Sequence, residues 1–173
     1  MRQYVLVTMV VLIGGCWDNG ETETGELVGE FEVGGALVEQ SCGNAMDASD
    51  RIEIDVALSV DEDATGRAYM DASGSVFVGT VDGDEYEFQV SQSSTVIQSS
   101  TGYEGCYVTQ RDVFYVLVET PDDATARTVS GYQMTEIEPI AGSDCSPALS
   151  VSGGAFLALP CRVEYVLSGD EIL

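Results

Sequence analysis

One stretch of the sequence alternates between apolar and polar side chains so strictly that it indicates a β-strand with a single buried face. From Ile52 to Val60 (IEIDVALSV) every even position is aliphatic and every odd position is polar or small. Successive side chains of a strand point to opposite faces, whereas a helix would scatter this pattern around its circumference. The stretch therefore predicts an antiparallel strand with a core on one side and solvent on the other.

The same alternation recurs along most of the chain, and no segment of ten or more residues has a convincing helical period. Asp82-Gly83 is typical of a two-residue hairpin turn. The pattern predicts about eight strands, near residues 28–40, 50–60, 66–72, 75–81, 84–91, 105–119, 126–138 and 161–168. Short turns between strands favour an all-β antiparallel meander, closed as an up-and-down barrel or, alternatively, flattened into a β-sandwich. The predicted inward side chains are Ile52, Ile54, Val56, Leu58, Tyr86 and Phe88.

The first fifteen residues have the composition of a signal peptide. Arg2 precedes an uncharged apolar run from Tyr4 to Ile13, and Gly14, Gly15 and Cys16 follow it. About ten apolar residues span roughly 15 Å as a helix, which is half the hydrocarbon thickness of a bilayer. The run is therefore too short for a permanent membrane span and suits the hydrophobic region of a cleaved leader.

Ile13-Gly14-Gly15-Cys16 resembles the lipobox of bacterial lipoproteins, in which an aliphatic and two small residues precede an invariant cysteine. The resemblance implies cleavage before Cys16 and attachment of acyl chains such as palmitate to it, so the protein would be held on a membrane by lipid. The predicted organisation is a signal peptide at 1–15, an acidic flexible tether at 16–27 and a single β-domain at 28–170.

The lipobox resemblance implies a location in the bacterial cell envelope. In enterobacterial lipoproteins an aspartate directly after the cysteine favours the inner membrane. Trp17 occupies that place and Asp18 follows it, so the outer membrane is favoured here.

Four cysteines remain besides Cys16, an even set that predicts two disulfides in an oxidising compartment. Four cysteines allow three pairings, and the sequence does not choose among them. The preferred pairing is Cys145 with Cys161, which bracket a segment rich in glycine and serine, and therefore Cys42 with Cys106. A zinc site is disfavoured because the sequence has neither a CxxC motif nor a histidine.

The formal net charge of −24 narrows the classes of partner. Such a surface repels phosphate backbones and anionic head groups, which argues against nucleic-acid binding and against electrostatic attachment to membranes. The expected membrane contact is through the acyl chains alone. The other expected partner is an envelope protein or a small apolar ligand.

No residue pattern in the sequence indicates catalysis or a cofactor. The chain has no histidine and no Gly-x-Ser-x-Gly motif, which excludes Ser-His-Asp and Cys-His mechanisms. Asp61, Asp63 and Thr65 precede Gly66 at alternate positions, like the opening of a calcium loop. The twelfth position of that loop would be Ala72 rather than glutamate, so an acidic hairpin tip explains the residues equally well.

Gly29-x-Phe31 on the first predicted strand resembles the Gly-x-Trp of lipocalins, although the only tryptophan, Trp17, lies in the tether. The function expected from these features is a non-catalytic binding or scaffold module. One alternative is a lipocalin-like carrier of a small apolar ligand, which needs a cavity on the order of several hundred Å³. The other alternative is an enzyme of an unusual, histidine-free type.

Overall fold

The computed structural model describes residues 25–61, 66–98, 103–121 and 126–172, so the predicted leader, Cys16 and most of the tether lie outside it. The described chain forms eight strands and two short 3-10 turns. The strands are β1 (Glu26–Gln40), β2 (Arg51–Val60), β3 (Arg67–Ala72), β4 (Ser75–Asp82), β5 (Glu85–Gln98), β6 (Tyr103–Glu119), β7 (Thr128–Pro139) and β8 (Cys161–Glu171). Among these residues no helix is long and apolar enough to cross a membrane.

The strands form a closed barrel in sequence order, with every neighbouring pair antiparallel. Closure comes from β1 and β8, which pair from Phe31 opposite Glu171 to Gln40 opposite Val163. The structure thus confirms the lipocalin-like up-and-down barrel and excludes the β-sandwich. Closing the sheet removes the two free edges that a flat meander of this length would expose.

The strand boundaries lie within three residues of those predicted from the sequence, with one exception. β1 begins at Glu26, inside the predicted tether, and β5 runs to Gln98 instead of ending near residue 91. Beyond Ser91 the chain loses its apolar alternation, and pairing with β6 continues the strand there instead. The two 3-10 turns, Ser146–Ala148 and Ser150–Ser152, lie in the connection between β7 and β8.

Tight turns connect the central strands. Ser73 and Gly74 join β3 to β4 and both adopt positive φ, at 54° and 81°. The predicted two-residue turn between β4 and β5 is present but lies one residue further on, because Asp82 and Glu85 are paired and Gly83 and Asp84 connect them. Gly83 has a φ of 61°, the conformation that glycine adopts without a steric cost.

The two ends of the barrel differ, and we name them by their contents. The entry half is the end where β1 begins and β8 finishes, and its interior is apolar. The clamped half is the opposite end, where the residues 140–160 between β7 and β8 form a lid and both disulfides lie. The buried interior side chains of the entry half and the middle of the barrel include Phe31, Val33, Val56, Leu58, Met70, Phe88, Phe114, Val116, Val129 and Leu167.

All four cysteines of the β-domain form disulfides, but the preferred pairing from the sequence is wrong. Cys42 bonds to Cys161, with their Cα atoms 4.9 Å apart. Cys42 follows β1 and Cys161 begins β8, so barrel closure brings them together; Ser41 N–H donates to the Arg162 carbonyl at 2.9 Å beside them. The residues are distant in sequence and adjacent only because the first strand pairs with the last.

The second disulfide joins Cys106 to Cys145, with a Cα–Cα distance of 4.5 Å. After β7 ends, the chain continues alongside β6. The Ile140 N–H donates to the Tyr107 carbonyl at 2.8 Å, and the Asp144 N–H donates to the Gly105 carbonyl at 3.2 Å. Cys145 is thereby placed opposite Cys106. The sequence predicted that Cys145 and Cys161 would bond to each other. Instead, Cys145 bonds to β6 and Cys161 bonds to Cys42, just after β1.

Candidate functional site

The interior of the barrel is where a ligand would bind in a barrel of this kind, and side chains fill it. Of the six side chains predicted to point inward, Val56, Leu58, Tyr86 and Phe88 are buried, while Ile52 and Ile54 are partly buried and pack against this core. The cavity among these side chains has a volume of about 10 Å³. That is roughly the space of one water molecule.

An ion pair closes the barrel wall at the entry half. The backbone N–H and the Nε–H of Arg127 donate to one carboxylate oxygen of Glu171 at 2.9 and 3.1 Å. The Nη2 of Arg127 donates to the other oxygen. These hydrogen bonds, chiefly those from the guanidinium, lower the pKa of the Glu171 carboxyl from 4.5 to about 2. The pair fixes the start of β7 against the end of β8.

The Gly29-x-Phe31 motif packs against this ion pair. The Arg127 guanidinium lies over the Phe31 ring, 5.9 Å from its centroid, and Phe31 is fully buried. A Cβ at Gly29 would stand 2.9 Å from Arg127 Nη2 and 3.1 Å from the Phe31 ring. Glycine at this position therefore leaves room for the guanidinium to reach the ring, which gives the motif a packing role.

A polar cluster lies inside the barrel in the clamped half. Asp112 is in the same strand phase as the inward Phe114 and Val116, and it lies opposite Thr135. The Thr135 hydroxyl donates to Asp112 Oδ1 at 2.6 Å. Gln110 Nε2 donates to both carboxylate oxygens, at 3.2 and 2.9 Å. Gln110 Oε1 is buried and accepts no hydrogen bond among the described residues.

The cluster is built to hold a carboxylate in place. Asp112 accepts from two side chains, and a charge-assisted hydrogen bond is stronger than a neutral one. A single carboxylate flanked by an amide and a hydroxyl supplies neither a paired acid and base nor a nucleophile with its base. No group of three or more histidine, cysteine, aspartate or glutamate residues among the described residues is arranged to hold a metal ion.

The lid covers the clamped end of the barrel and packs onto the core through Ala148 and Phe156. Its own backbone bonds tie it together: the Ser150 N–H donates to the Phe156 carbonyl at 2.7 Å, and the Phe156 N–H to the Ala148 carbonyl at 3.1 Å. Three large apolar side chains of the lid are exposed to solvent: Val151 with 89%, Leu157 with 62% and Ile140 with 38% of its surface. The lid therefore presents aliphatic side chains to solvent on a loop that a disulfide holds to β6.

The remaining residues singled out in the sequence are placed as follows. Cys16, Asp63 and Thr65 lie outside the described residues. The Asp61 carboxylate lies 3.7 Å from the Arg67 guanidinium, across the connection from β2 to β3. The calcium hypothesis therefore stays a prediction, whereas the ion pair accounts for Asp61.

Sequence reasoning missed the polar cluster, although a signal for it was present. Asp112 and Gln110 occupy even positions of β6, the phase that carries Cys106, Val108 and Phe114 into the interior. Two polar residues in the apolar phase of a strand are either unpaired, which is costly, or hydrogen-bonded to one another. Following the phase upstream from the apolar run Val113–Val118 would have identified them.

The chain matches no protein-family model, no curated protein and no solved structure.

Proposed function

We propose that the protein is a lipid-anchored module of the bacterial cell envelope that binds or scaffolds a partner through its outer surface and performs no catalysis. The observation that carries this proposal is the filled barrel, whose interior cavity of about 10 Å³ leaves recognition to the outside. The lipobox resemblance at Ile13-Gly14-Gly15-Cys16 supports the anchor, and the disulfides suit an oxidising envelope compartment.

The filled interior disfavours the carrier alternative. A pocket for a small apolar molecule takes on the order of several hundred Å³, and Phe31, Leu58 and Phe88 occupy that space with no exposed surface of their own. The histidine-free enzyme is disfavoured because the polar cluster offers one carboxylate with no second acid, base or nucleophile beside it.

The predicted tether and the lid lie at opposite ends of the barrel. β1 begins at Glu26 in the entry half, so an anchor at Cys16 would attach the barrel to the membrane from that end. The lid lies at the opposite end. A tether of about ten residues spans at most roughly 35 Å, so the barrel stays close to the bilayer and its lid is the end farther from the attachment point. We infer that the lid, with Val151 and Leu157, is the surface presented to a partner.

The anchor is tested by metabolic labelling of the full chain with a clickable fatty acid. Cys16→Ser is expected to abolish labelling and to leave the leader uncleaved, and Asp18→Asn serves as the matched control that leaves the lipobox intact. Labelled Cys16→Ser protein would contradict the anchor.

The recognition surface is tested by chemical cross-linking in the producing cells. Val151→Asp with Leu157→Asp is expected to remove the specific cross-linked species. Val166→Asp changes a similarly exposed aliphatic residue on the barrel wall, 52% exposed, and is expected to keep them. Loss in the wall variant alone would move the surface away from the lid. Native mass spectrometry of the same protein should show no bound small molecule, and a stoichiometric lipid-sized adduct would revive the carrier.

A further inference from the structure

The barrel is closed, but one of its strands has a long unpaired edge. The ladder between β4 and β5 covers only the pairs from Asp82–Glu85 to Gly79–Phe88. Both strands continue beyond it, since β4 begins at Ser75 and β5 extends to Gln98. From Gln89 onward β5 is therefore paired with β6 on one side and, among the described residues, with nothing on the other.

The other side of the same hairpin shows the opposite arrangement. β6 pairs with β7 as far as Val108 opposite Pro139. The lid then continues the pairing with two backbone hydrogen bonds, from Ile140 to Tyr107 and from Asp144 to Gly105, at 2.8 and 3.2 Å. No backbone hydrogen bond of this kind reaches residues 89–96 from another described segment. Within the described parts of the chain, one edge of the hairpin is covered by β7 and the lid, and the other has no hydrogen-bonded neighbour along residues 89–96.

Between Gln89 and Val96 the open edge lacks the features that usually protect such strands, and a register irregularity follows only between Val96 and Gln98. Natural edge strands carry lysine, proline, bulges or inward charges that prevent pairing with another chain. Residues 88–103 contain no charged residue and no proline, in a chain in which 21% of residues are charged. The side chains of residues 89–93 and of Thr95 are exposed. An unprotected edge of this length is a template for pairing with another strand.

We propose that this edge pairs with the same edge of a second copy, antiparallel and with a two-fold axis through Ser93. Residues that face each other in such a pair must lie on the same side of the sheet, so their numbers sum to an even value. With Ser93 on the axis, Val90 faces Val96, Ser91 faces Thr95 and Gln92 faces Ser94. Each residue thus meets a compatible one: aliphatic faces aliphatic, hydroxyl faces hydroxyl, and the Gln92 amide faces a hydroxyl with which it can form a hydrogen bond.

The absence of charge at this edge limits the repulsion between two copies that pair through it. Two copies each carry a formal charge of −24 and repel. Pairing through residues 90–96 places no acidic side chain directly opposite another, and at about 0.15 M salt the Debye length of about 8 Å screens the rest. The dimer should therefore strengthen as the salt concentration rises. This self-complementarity also favours a second copy over an extended segment of another protein, and the pairing does not depend on the lipid anchor.

A single introduced thiol tests the register. In the full chain with Cys16→Ser, purified in mild detergent, Ser93→Cys places the new thiol on the axis, where paired Cα atoms lie about 4.5–5.5 Å apart, within disulfide range. Ser91→Cys is the matched control, because its two copies would stand about 14 Å apart along the strands. Under mild oxidation Ser93→Cys is expected to form the cross-linked dimer at least about tenfold faster than Ser91→Cys.

Sedimentation velocity of the protein without added cysteines gives the second measurement. The fraction of dimer should rise with both protein and salt concentration. Ser93→Asp, which would set two carboxylates against each other on the axis, should reduce it at least about tenfold in affinity. Ser168→Asp on the wall of β8 adds the same charge away from the edge and should leave it unchanged.

Two results would overturn the proposal. One is a monomer at every salt concentration, together with equal cross-linking of the Ser93→Cys and Ser91→Cys variants; it would leave the edge to an extended segment of a different protein. The other is a dimer weakened equally by Ser93→Asp and Ser168→Asp, which would place the contact elsewhere on the surface.

Discussion

The two halves of this barrel are held together by different means. In the entry half, buried aliphatic and aromatic side chains fill the interior, and the Arg127–Glu171 pair joins the start of β7 to the end of β8. In the clamped half, hydrogen-bonded Gln110, Asp112 and Thr135 share the interior with apolar residues. One disulfide there ties the lid to β6, and the other joins the segment after β1 to the first residue of β8.

The difference has a physical basis. Apolar area removed from water stabilises a fold by about 25 cal/mol per Å², whereas a buried polar group gives little net stability even when its hydrogen bonds are made. A half of the barrel with polar residues at interior positions buries less apolar area and is therefore stabilised less by the hydrophobic effect. We infer that the two disulfides stabilise the clamped half, whereas apolar packing stabilises the entry half.

The largest effect is expected from removing the disulfide that spans the barrel closure. Cys42 and Cys161 are 119 residues apart, and Cys106 and Cys145 are 39 apart. By chain entropy, replacing each pair with alanine should lower the free energy of unfolding by about 5 and about 4 kcal/mol, respectively. Urea denaturation of the two double variants measures both values. A larger loss for the Cys106–Cys145 pair would show that strain or contacts, not loop length, determine the contribution.

A leucine comparison tests packing in the entry half. Leu58 is fully buried there, whereas Leu157 on the lid is 62% exposed. Leu58→Ala should lower the free energy of unfolding by about 2–5 kcal/mol, and Leu157→Ala by less than about 0.5 kcal/mol. Both values come from urea denaturation. Similar losses for the two variants would mean that the lid packs as tightly as the barrel interior.

The polar cluster should respond to the chemistry of the replacement more than to its size. Asp112→Ala leaves the Thr135 hydroxyl and the Gln110 amide without a partner and should cost about 1–3 kcal/mol. Asp112→Asn retains an oxygen for Thr135 and presents an amide donor to Gln110, whose side-chain amide can turn by 180° to accept through Oε1, so its loss should be less than half as large. Thermal unfolding measures the stability of both variants. Equal losses of stability would show that the charge itself stabilises the cluster.

The smallest effect concerns pH and the entry-half ion pair. The pKa of Glu171 is about 2 in the folded protein and 4.5 in the absence of its partner. Because the folded pKa is the lower one, the stabilisation is present above pH 4.5 and is lost as the pH falls toward about 2. The melting temperature of Glu171→Gln should therefore depend less steeply on pH in that window than that of the original protein. Parallel curves would exclude this pair as a contributor to acid unfolding.

The strands and their order followed from the sequence because alternation is a local signal. Ile52–Val60 shows which of its residues face inward without reference to any other strand, and seven of the eight predicted strands end close to where the structure ends them. The exception, β5 beyond Ser91, has no such alternation, and its pairing with β6 is what makes it a strand.

The cysteine pairing could not follow from the same local signal. Cys145 and Cys161 are close in sequence, and proximity favoured joining them. Closure of the barrel instead places the end of β1 beside the start of β8, and the lid runs along β6. Disulfide partners are determined by which strands become neighbours, and that depends on pairings across the whole chain.

The sequence alone determined the all-β class, the strand phases, the number of cysteines available for disulfides and the acidic charge that argues against nucleic acid. Each of these depends on the kind and spacing of residues along the chain. Only the tertiary structure decided that the sheet closes, that the interior is filled, which cysteines meet, that Gln110, Asp112 and Thr135 converge, and that no described strand pairs with β5 beyond Phe88 on its β4 side. These are contacts between residues far apart in sequence, and they are fixed only when all eight strands have settled into one register.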